Sequence, residues 1–272
     1  MSKNSLNDVI GSTYQEVYAY KVGGSSEANR EWSSVWLQQG MPTGGTFYGD
    51  ISGRAMFMSD TGAIQYVNST GSTYQYISYF GQMVNLPVSA FNGTSPTILI
   101  DRLWQNTGIS VTTTTAQTIN SAAFPSRDLY GTASGYSVYV GLEVTTPTTQ
   151  AGVVTTITME YTNEMGVGTR TGRIRSFPAT ATGGVFSLFD LQTSDNGVSS
   201  IQTLTLGTTL SAGAVSLVAY RPILCHFPML GGSPTDVYTA GFSKLYNNSC
   251  LSWIQAGSSA ASPRVATIRL FE

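Results

Sequence analysis

Apolar residues in this chain recur at every second position over short stretches, with turn formers between them. That period of two marks strands with one face in a core and one toward solvent. The clearest case is 137–145, where Val138, Val140, Leu142 and Val144 share one face and Tyr139, Gly141 and Glu143 the other. Residues 153–161, with Val153, Ile157, Met159 and Tyr161 aligned, read as its hairpin partner. Residues 74–80 and 97–104 are two further strands, the second almost continuously apolar at its start, as a core strand should be. Residues 170–177, 185–191, 201–206, 214–220, 242–246, 250–255 and 265–271 complete the set. No stretch has the period of a long helix, and no fixed repeat suggests a solenoid or propeller. Many short strands joined by turns and long connections predict an all-β fold, a jelly-roll-like antiparallel β-sandwich over residues 41–272.

Residues 1–40 read differently, as an extended N-terminal arm. Leu6, Val9 and Ile10 fit a short helical turn, and Tyr14, Val17, Tyr18 and Tyr20 an extended segment. Gly23-Gly24-Ser25-Ser26 breaks it before Trp32, Val35, Trp36 and Leu37. Aromatic side chains bury much area at little entropic cost and so anchor interfaces. Tyr14, Tyr18, Tyr20, Trp32 and Trp36 are therefore candidate interface residues, on an arm expected to pack on a neighbouring chain. The alternative is an arm that folds back and closes its own core. On the first reading, a chain lacking residues 1–22 stays folded.

Composition sharpens the picture. Charged residues are 10% of the 272, against roughly 25% in an ordinary soluble domain. Aromatic residues at 11%, including 15 Tyr, exclude a disordered chain. Two runs, 61–100 and 196–220, carry no charge at all. They read either as a hydroxyl-rich surface or as surface covered by other subunits, because interface cores are depleted of charge. The net charge of -2 and the absence of a long basic run argue against nucleic acid as a partner. No stretch reaches the roughly 18 apolar residues of a membrane span. Met1-Ser2-Lys3-Asn4-Ser5 lacks the apolar core of a signal peptide, so the sequons at Asn68, Asn92 and Asn247 read as chance matches. Cys225 and Cys250, the two cysteines, read as buried thiols rather than a disulfide.

Catalytic chemistry finds little support. His226, the single histidine, sits in the apolar stretch Leu224-Cys225-His226-Phe227-Pro228 and reads as structural. Neighbours on a strand point to opposite faces, so Cys225 and His226 are no dyad. No G-x-S-x-G elbow is present. The glycines at 166, 168 and 172 lie between strand signals, where a phosphate loop would need a helix to follow. Asp50 with Asp60, or Glu143 with Glu160, are the best carboxylate pairs for a glycosidase, yet Glu143 and Glu160 read as solvent-facing. Arg170, Arg173 and Arg175 form the one basic cluster. It reads either as a solvated strand edge or as a contact for an acidic patch on a neighbour. No catalytic, cofactor-binding or metal residues are assigned.

Several segments resemble tailed-phage virion structural proteins of β-sandwich type. They are Trp36 to Gly45 (WLQQGMPTGG), Ile100-Asp101-Arg102-Leu103-Trp104 with Asn106-Thr107-Gly108, and Thr113-Thr114-Thr115-Ala116-Gln117-Thr118. Glu160-Tyr161-Thr162-Asn163 with Gly166, Gly168 and Arg170-Thr171-Gly172 follow, then Asp195-Asn196-Gly197-Val198 and the apolar stretch from Cys250 to Ile254. The resemblance spans roughly residues 30–272, and the order of its motifs is its most specific part. It implies a non-enzymatic virion component, foremost a capsid decoration (cement) protein that stabilises the head shell. The implied partners are the chain itself, as a homotrimer, and the major capsid protein or other virion proteins. A tail or baseplate protein, and a glycan-binding module stacking sugars on Tyr and Trp, are the alternatives. A structural His226 predicts that His226→Gln leaves assembly intact at a packing cost of about 1 kcal/mol, measurable by denaturant titration.

Overall fold

The structure is a computed structural model that describes residues 14–22, 32–84, 96–150, 156–178, 180–226, 235–236, 243–256 and 264–271. These residues form strands and connections without a helix. In chain order the strands are β1 (Tyr14–Lys21), β2 (Trp32–Ser34), β3 (Gly40–Met41), β4 (Arg54–Ala55), β5 (Tyr74–Val84) and β6 (Thr97–Gln105). Then come β7 (Gln117–Thr118), β8 (Tyr139–Thr149), β9 (Ile157–Asn163), β10 (Arg170–Ile174), β11 (Thr180–Ala181) and β12 (Phe186–Leu188). The last are β13 (Val198–Leu206), β14 (Ala212–His226), β15 (Thr235–Asp236), β16 (Ser243–Tyr246), β17 (Leu251–Ala256) and β18 (Arg264–Phe271). The expected all-β antiparallel sandwich is present, and every stretch read as a strand contains one.

Three antiparallel sheets build it. An eight-stranded sheet runs β11-β8-β14-β6-β17-β2, with β12 beside β8 and β4 beside β6. A four-stranded sheet runs β10-β9-β13-β7, and a six-stranded sheet runs β15-β5-β18-β1-β3 with β16 beside β5. One core joins the eight- and four-stranded sheets: Val140, Leu142, Val144, Leu217 and Ala219 meet Met159, Tyr161, Ile201 and Leu204. A second joins the eight- and six-stranded sheets: Leu99, Leu224, Leu251 and Trp253 meet Val17, Ile77, Phe80, Ile268 and Leu270.

Two expectations are corrected by these sheets. β8 and β9 are not a hairpin: β8 pairs with β14, and β9 with β10 and β13. Both put their apolar faces into the same core from different sheets. Alternation reports which face is buried, and it does not distinguish a neighbour in the sheet from a strand across the core. The second correction concerns the arm. Tyr14–Lys21 pairs over its full length with β18, from Tyr14 opposite Phe271 to Lys21 opposite Arg264. Val17 and Ala19 are buried in the second core. Lys21 is buried too, its ammonium donating to the carbonyls of Gln38, Pro42 and Thr43 at 3.0–3.2 Å. Burial pulls that ammonium down to about 8. This segment therefore closes its own chain's core; the turn expected at Leu6 to Ile10 and the glycine break at 23–26 lie outside the described residues.

The uncharged runs also find an explanation within the chain. β14 lies between β8 and β6, and its residues 215–220 are all buried, as are Ala63, Ile64, Ile77, Phe80 and Leu99 in the earlier run. A chain lacking residues 1–22 would lose β1, uncover the edge of β18 and open the second core. It is expected to lose about 3 kcal/mol or more, or to fail to fold, read by thermal denaturation and gel filtration. A truncated chain with unchanged melting temperature would show that β1 is dispensable.

Candidate functional site

Several of this protein's charges are buried and paired inside it. Asp101 and Arg102 are adjacent on β6 and so project from opposite faces. Asp101 accepts from Arg127 Nε at 2.9 Å and Nη2 at 3.1 Å, from Ser249 Oγ at 2.6 Å and from the Cys250 N–H at 2.9 Å. Arg221 approaches the same carboxylate at 4.0 Å. On the other face, Arg102 pairs with Glu143 at 2.8 Å, donates to Gln105 Oε1 at 3.1 Å, and lies 4.4 Å from the Trp36 ring. Burial pushes the Glu143 carboxyl up, with Arg102 opposing it. Glu143 is fully buried, not solvent-facing, and it lies in a different sheet from Glu160. Asp50 accepts from Ser52 and Gly53 in its own loop, and Asp60 pairs with Arg54. His226 is 2% exposed, edge-on to Phe80, and burial lowers its pKa. Cys225 is exposed and Cys250 buried, so the expectation of two buried thiols holds for Cys250 alone. Among the described residues no group of three or more His, Cys, Asp or Glu is placed to hold a metal.

One sheet face presents aromatic rings to solvent. On β1, Tyr14, Glu16, Tyr18 and Tyr20 alternate with the buried Val17, Ala19 and Lys21, so the tyrosines share the outer face of the six-stranded sheet. They are 61%, 60% and 40% exposed. The antiparallel register sets Glu16 opposite Arg269 and Arg269 opposite Tyr79. Arg269 donates to Glu16 at 2.6 Å and lies 4.7 Å from the Tyr14 ring centre and 5.7 Å from that of Tyr79. Further along the sheet, Tyr76 stacks on Phe271 at 5.5 Å, Tyr74 meets Tyr76 edge-on at 5.4 Å, and Lys244 sits 4.5 Å over Tyr74. Register again brings these together, with Lys244 opposite Tyr76 and Tyr246 opposite Tyr74. The outcome is a broad tyrosine-rich sheet face with fixed cations between the rings. Tyr offers large contact area, a polar tip and few rotatable bonds, which suits it to recognition.

At the β5–β16 end of this face lies a pocket of about 380 Å³, between Tyr74, Lys244 and Tyr246 and the loop carrying Tyr130. Gly131 lets that loop approach: its φ is +79°, and a Cβ there would stand 2.9 Å from the Tyr246 ring.

The other candidate residues fall elsewhere. Trp32 is half-buried on β2. Trp36 is fully buried, so it belongs to this chain's own core rather than to a surface. Its neighbour Arg102 explains why an aromatic ring is needed there. Arg170 and Arg173 belong to β10 of the four-stranded sheet and Arg175 follows its end, apart from the six-stranded sheet that carries the tyrosines. Arg173 and Arg175 are exposed, Arg175 with Asp190 at 3.5 Å. Arg170 instead grips Asp195 through Nε and Nη2, both at 2.8 Å. The glycines at 166 and 168 lie in the β9–β10 hairpin connection, as expected. Sequence reasoning missed the ion-paired core, although two charges set inside Ile98-Leu99-Ile100-Asp101-Arg102-Leu103-Trp104 were its signal.

No family model matches the chain, and no curated protein matches it. Among solved structures it is similar to the VP2 subviral particle of infectious bursal disease virus, at 10% identity and a TM-score of 0.24, over 96% of this chain and 81% of that one. A structure of the Gt strain of the same virus gives 8% identity and a TM-score of 0.19, over 96% and 81%. Likeness at that level carries no argument about function.

Asp195 supplies a pH-dependent test of the β9–β10 hairpin. Hydrogen bonds from Arg170, Tyr161 and Asn163 hold its carboxyl down to about 2, against an ordinary 3.8. A depressed carboxyl contributes stability that is full above its unfolded value and lost as pH falls through its folded one. The melting temperature should therefore drop as pH falls from about 4 to about 2. Asp195→Asn should melt lower at neutral pH and show a flatter profile across that window.

Proposed function

We propose that this protein is a non-enzymatic structural component of a tailed-phage virion, a capsid decoration protein that binds the assembled head shell through the tyrosine face of its six-stranded sheet. The observation that carries this reading is the exposed row of Tyr14, Tyr18 and Tyr20 on a strand whose other side is locked in the core. A surface rich in tyrosine rings, with Glu16 and Arg269 paired between them, has the aromatic enrichment of an interface. Its rigid sheet backing means little ordering cost on docking. The ordered motifs that resemble tailed-phage structural proteins support a head-shell protein as the partner. The ion pairs described above support a non-enzymatic role, because they are consumed in tying strands and loops to one another. A homotrimer with this face against the major capsid protein is the assembly we favour.

Purified protein mixed with empty shells should co-sediment with them. Changing Tyr14, Tyr18 and Tyr20 together to Ser should weaken retention by about tenfold or more while the melting temperature stays within a few degrees. Mass spectrometry of separated heads and tails should find the chain on heads; finding it on tails alone would assign it to the tail or baseplate. Unchanged retention of the triple variant would exclude this face as the docking surface.

A further inference from the structure

The pocket beside the tyrosine face combines three kinds of group that belong to one ligand chemistry. Its walls are rings: Tyr74 and Tyr246 meet edge-on at 6.1 Å, and Tyr130, 65% exposed, is steadied edge-on by Tyr136 at 5.2 Å. Its charge is positive. Lys244 has no carboxylate partner among the described residues and rests its ammonium over Tyr74. Arg127 commits Nε and Nη2 to Asp101 and to the Met56 carbonyl, leaving Nη1 without an acceptor among the described residues. The carboxylate of the same loop, Asp128, is occupied by the N–H groups of Tyr130, Thr132, Gly135 and Tyr136 and by the Thr132 hydroxyl. It folds the loop and, among the described residues, forms no ion pair with Lys244 or Arg127. Finally, the hydroxyls of Thr73 and Ser126 line the rim, exposed and without hydrogen bonds among the described residues.

We infer that this pocket binds a saccharide carrying an acidic group. Aromatic rings stack on the C–H faces of a sugar, and its hydroxyls pair with short polar side chains. The carboxylate meets Lys244 and the free edge of Arg127 in a charge-assisted contact. A volume of about 380 Å³ accommodates one or two sugar rings and falls within the range of small-ligand sites. An acidic side chain of a peptide would use the cations and leave the rings uncovered. The site is also built in advance: Gly131 seats the loop against Tyr246, and the Asn247 amide ties the carbonyls of Ser69 and Ser72. This inference stands apart from shell docking, which uses Tyr14, Tyr18 and Tyr20.

Saturation-transfer NMR and calorimetry would test it on the full chain. The probes are glucuronate, galacturonate and N-acetylneuraminate, with glucose, galactose and acetate as comparisons. At least one acidic sugar should bind saturably and about tenfold more tightly than the neutral sugars and acetate. Tyr130→Ala, at an exposed position, should weaken binding of that sugar by about tenfold. Lys244→Gln should erase the preference for acid, and Val167→Ser, exposed on the β9–β10 connection, should leave sugar binding unchanged. The inference is overturned if no acidic sugar binds the folded wild-type protein, if acetate binds as tightly as the sugars, or if both pocket variants bind as wild type does.

Discussion

A carboxylate without water holds the architecture together. Asp101 sits on the face of the eight-stranded sheet that two smaller sheets must share, at the seam where their cores meet. An ionised group there is tolerable only if its lone pairs are filled. Arg127 arrives from a loop, Ser249 and Cys250 from the turn before β17, and Arg221 from β14. These groups come from three separate parts of the chain, so satisfying one carboxylate ties three segments to β6 at once. Removing a single partner from such a cluster typically costs about 3–5 kcal/mol, because the rest stays buried and unpaired.

This explains the sparse charge of the sequence in a way composition alone could not. Among the described residues, Lys21, Asp101, Arg102, Arg127, Asp128, Glu143, Glu164 and Arg221 are all buried. With charged residues only 10% of the chain, a substantial part of the charge is internal, and the surface is more neutral still. Neutrality is then supplied by tyrosines, which put a wettable tip on an apolar ring. The tyrosine face and the ion-paired interior are two sides of one allocation of charge.

The strands were legible because their period depends only on local burial. Which strand lies beside which was not, since β8 and β9 show the same alternation whether they are neighbours or face each other across a core. The arm shows the same limit. Tyr14, Tyr18 and Tyr20 announce a side that wants a partner, but Val17 and Ala19, small and few, hardly announce that the other side is core. Their burial is conferred by β18, at the far end of the sequence. Of the candidate surface residues, the three tyrosines were legible from spacing alone. Trp36 was not, because its environment is made by Arg102, Phe47 and Cys250, none of them near it in sequence.

The pairing of β1 with β18 has a consequence for how the molecule comes into being. β1 leaves the ribosome long before β18, the strand it zips against along its whole length. Until then it has only the two-residue β3 as a neighbour, and its tyrosines and backbone groups stay uncommitted. Contacts so distant along the chain are slow to form. The six-stranded sheet is therefore completed only after synthesis of β18, and the tyrosine surface cannot exist before that strand is made. A face whose two halves lie so far apart along the chain becomes competent for assembly only once translation has passed β18.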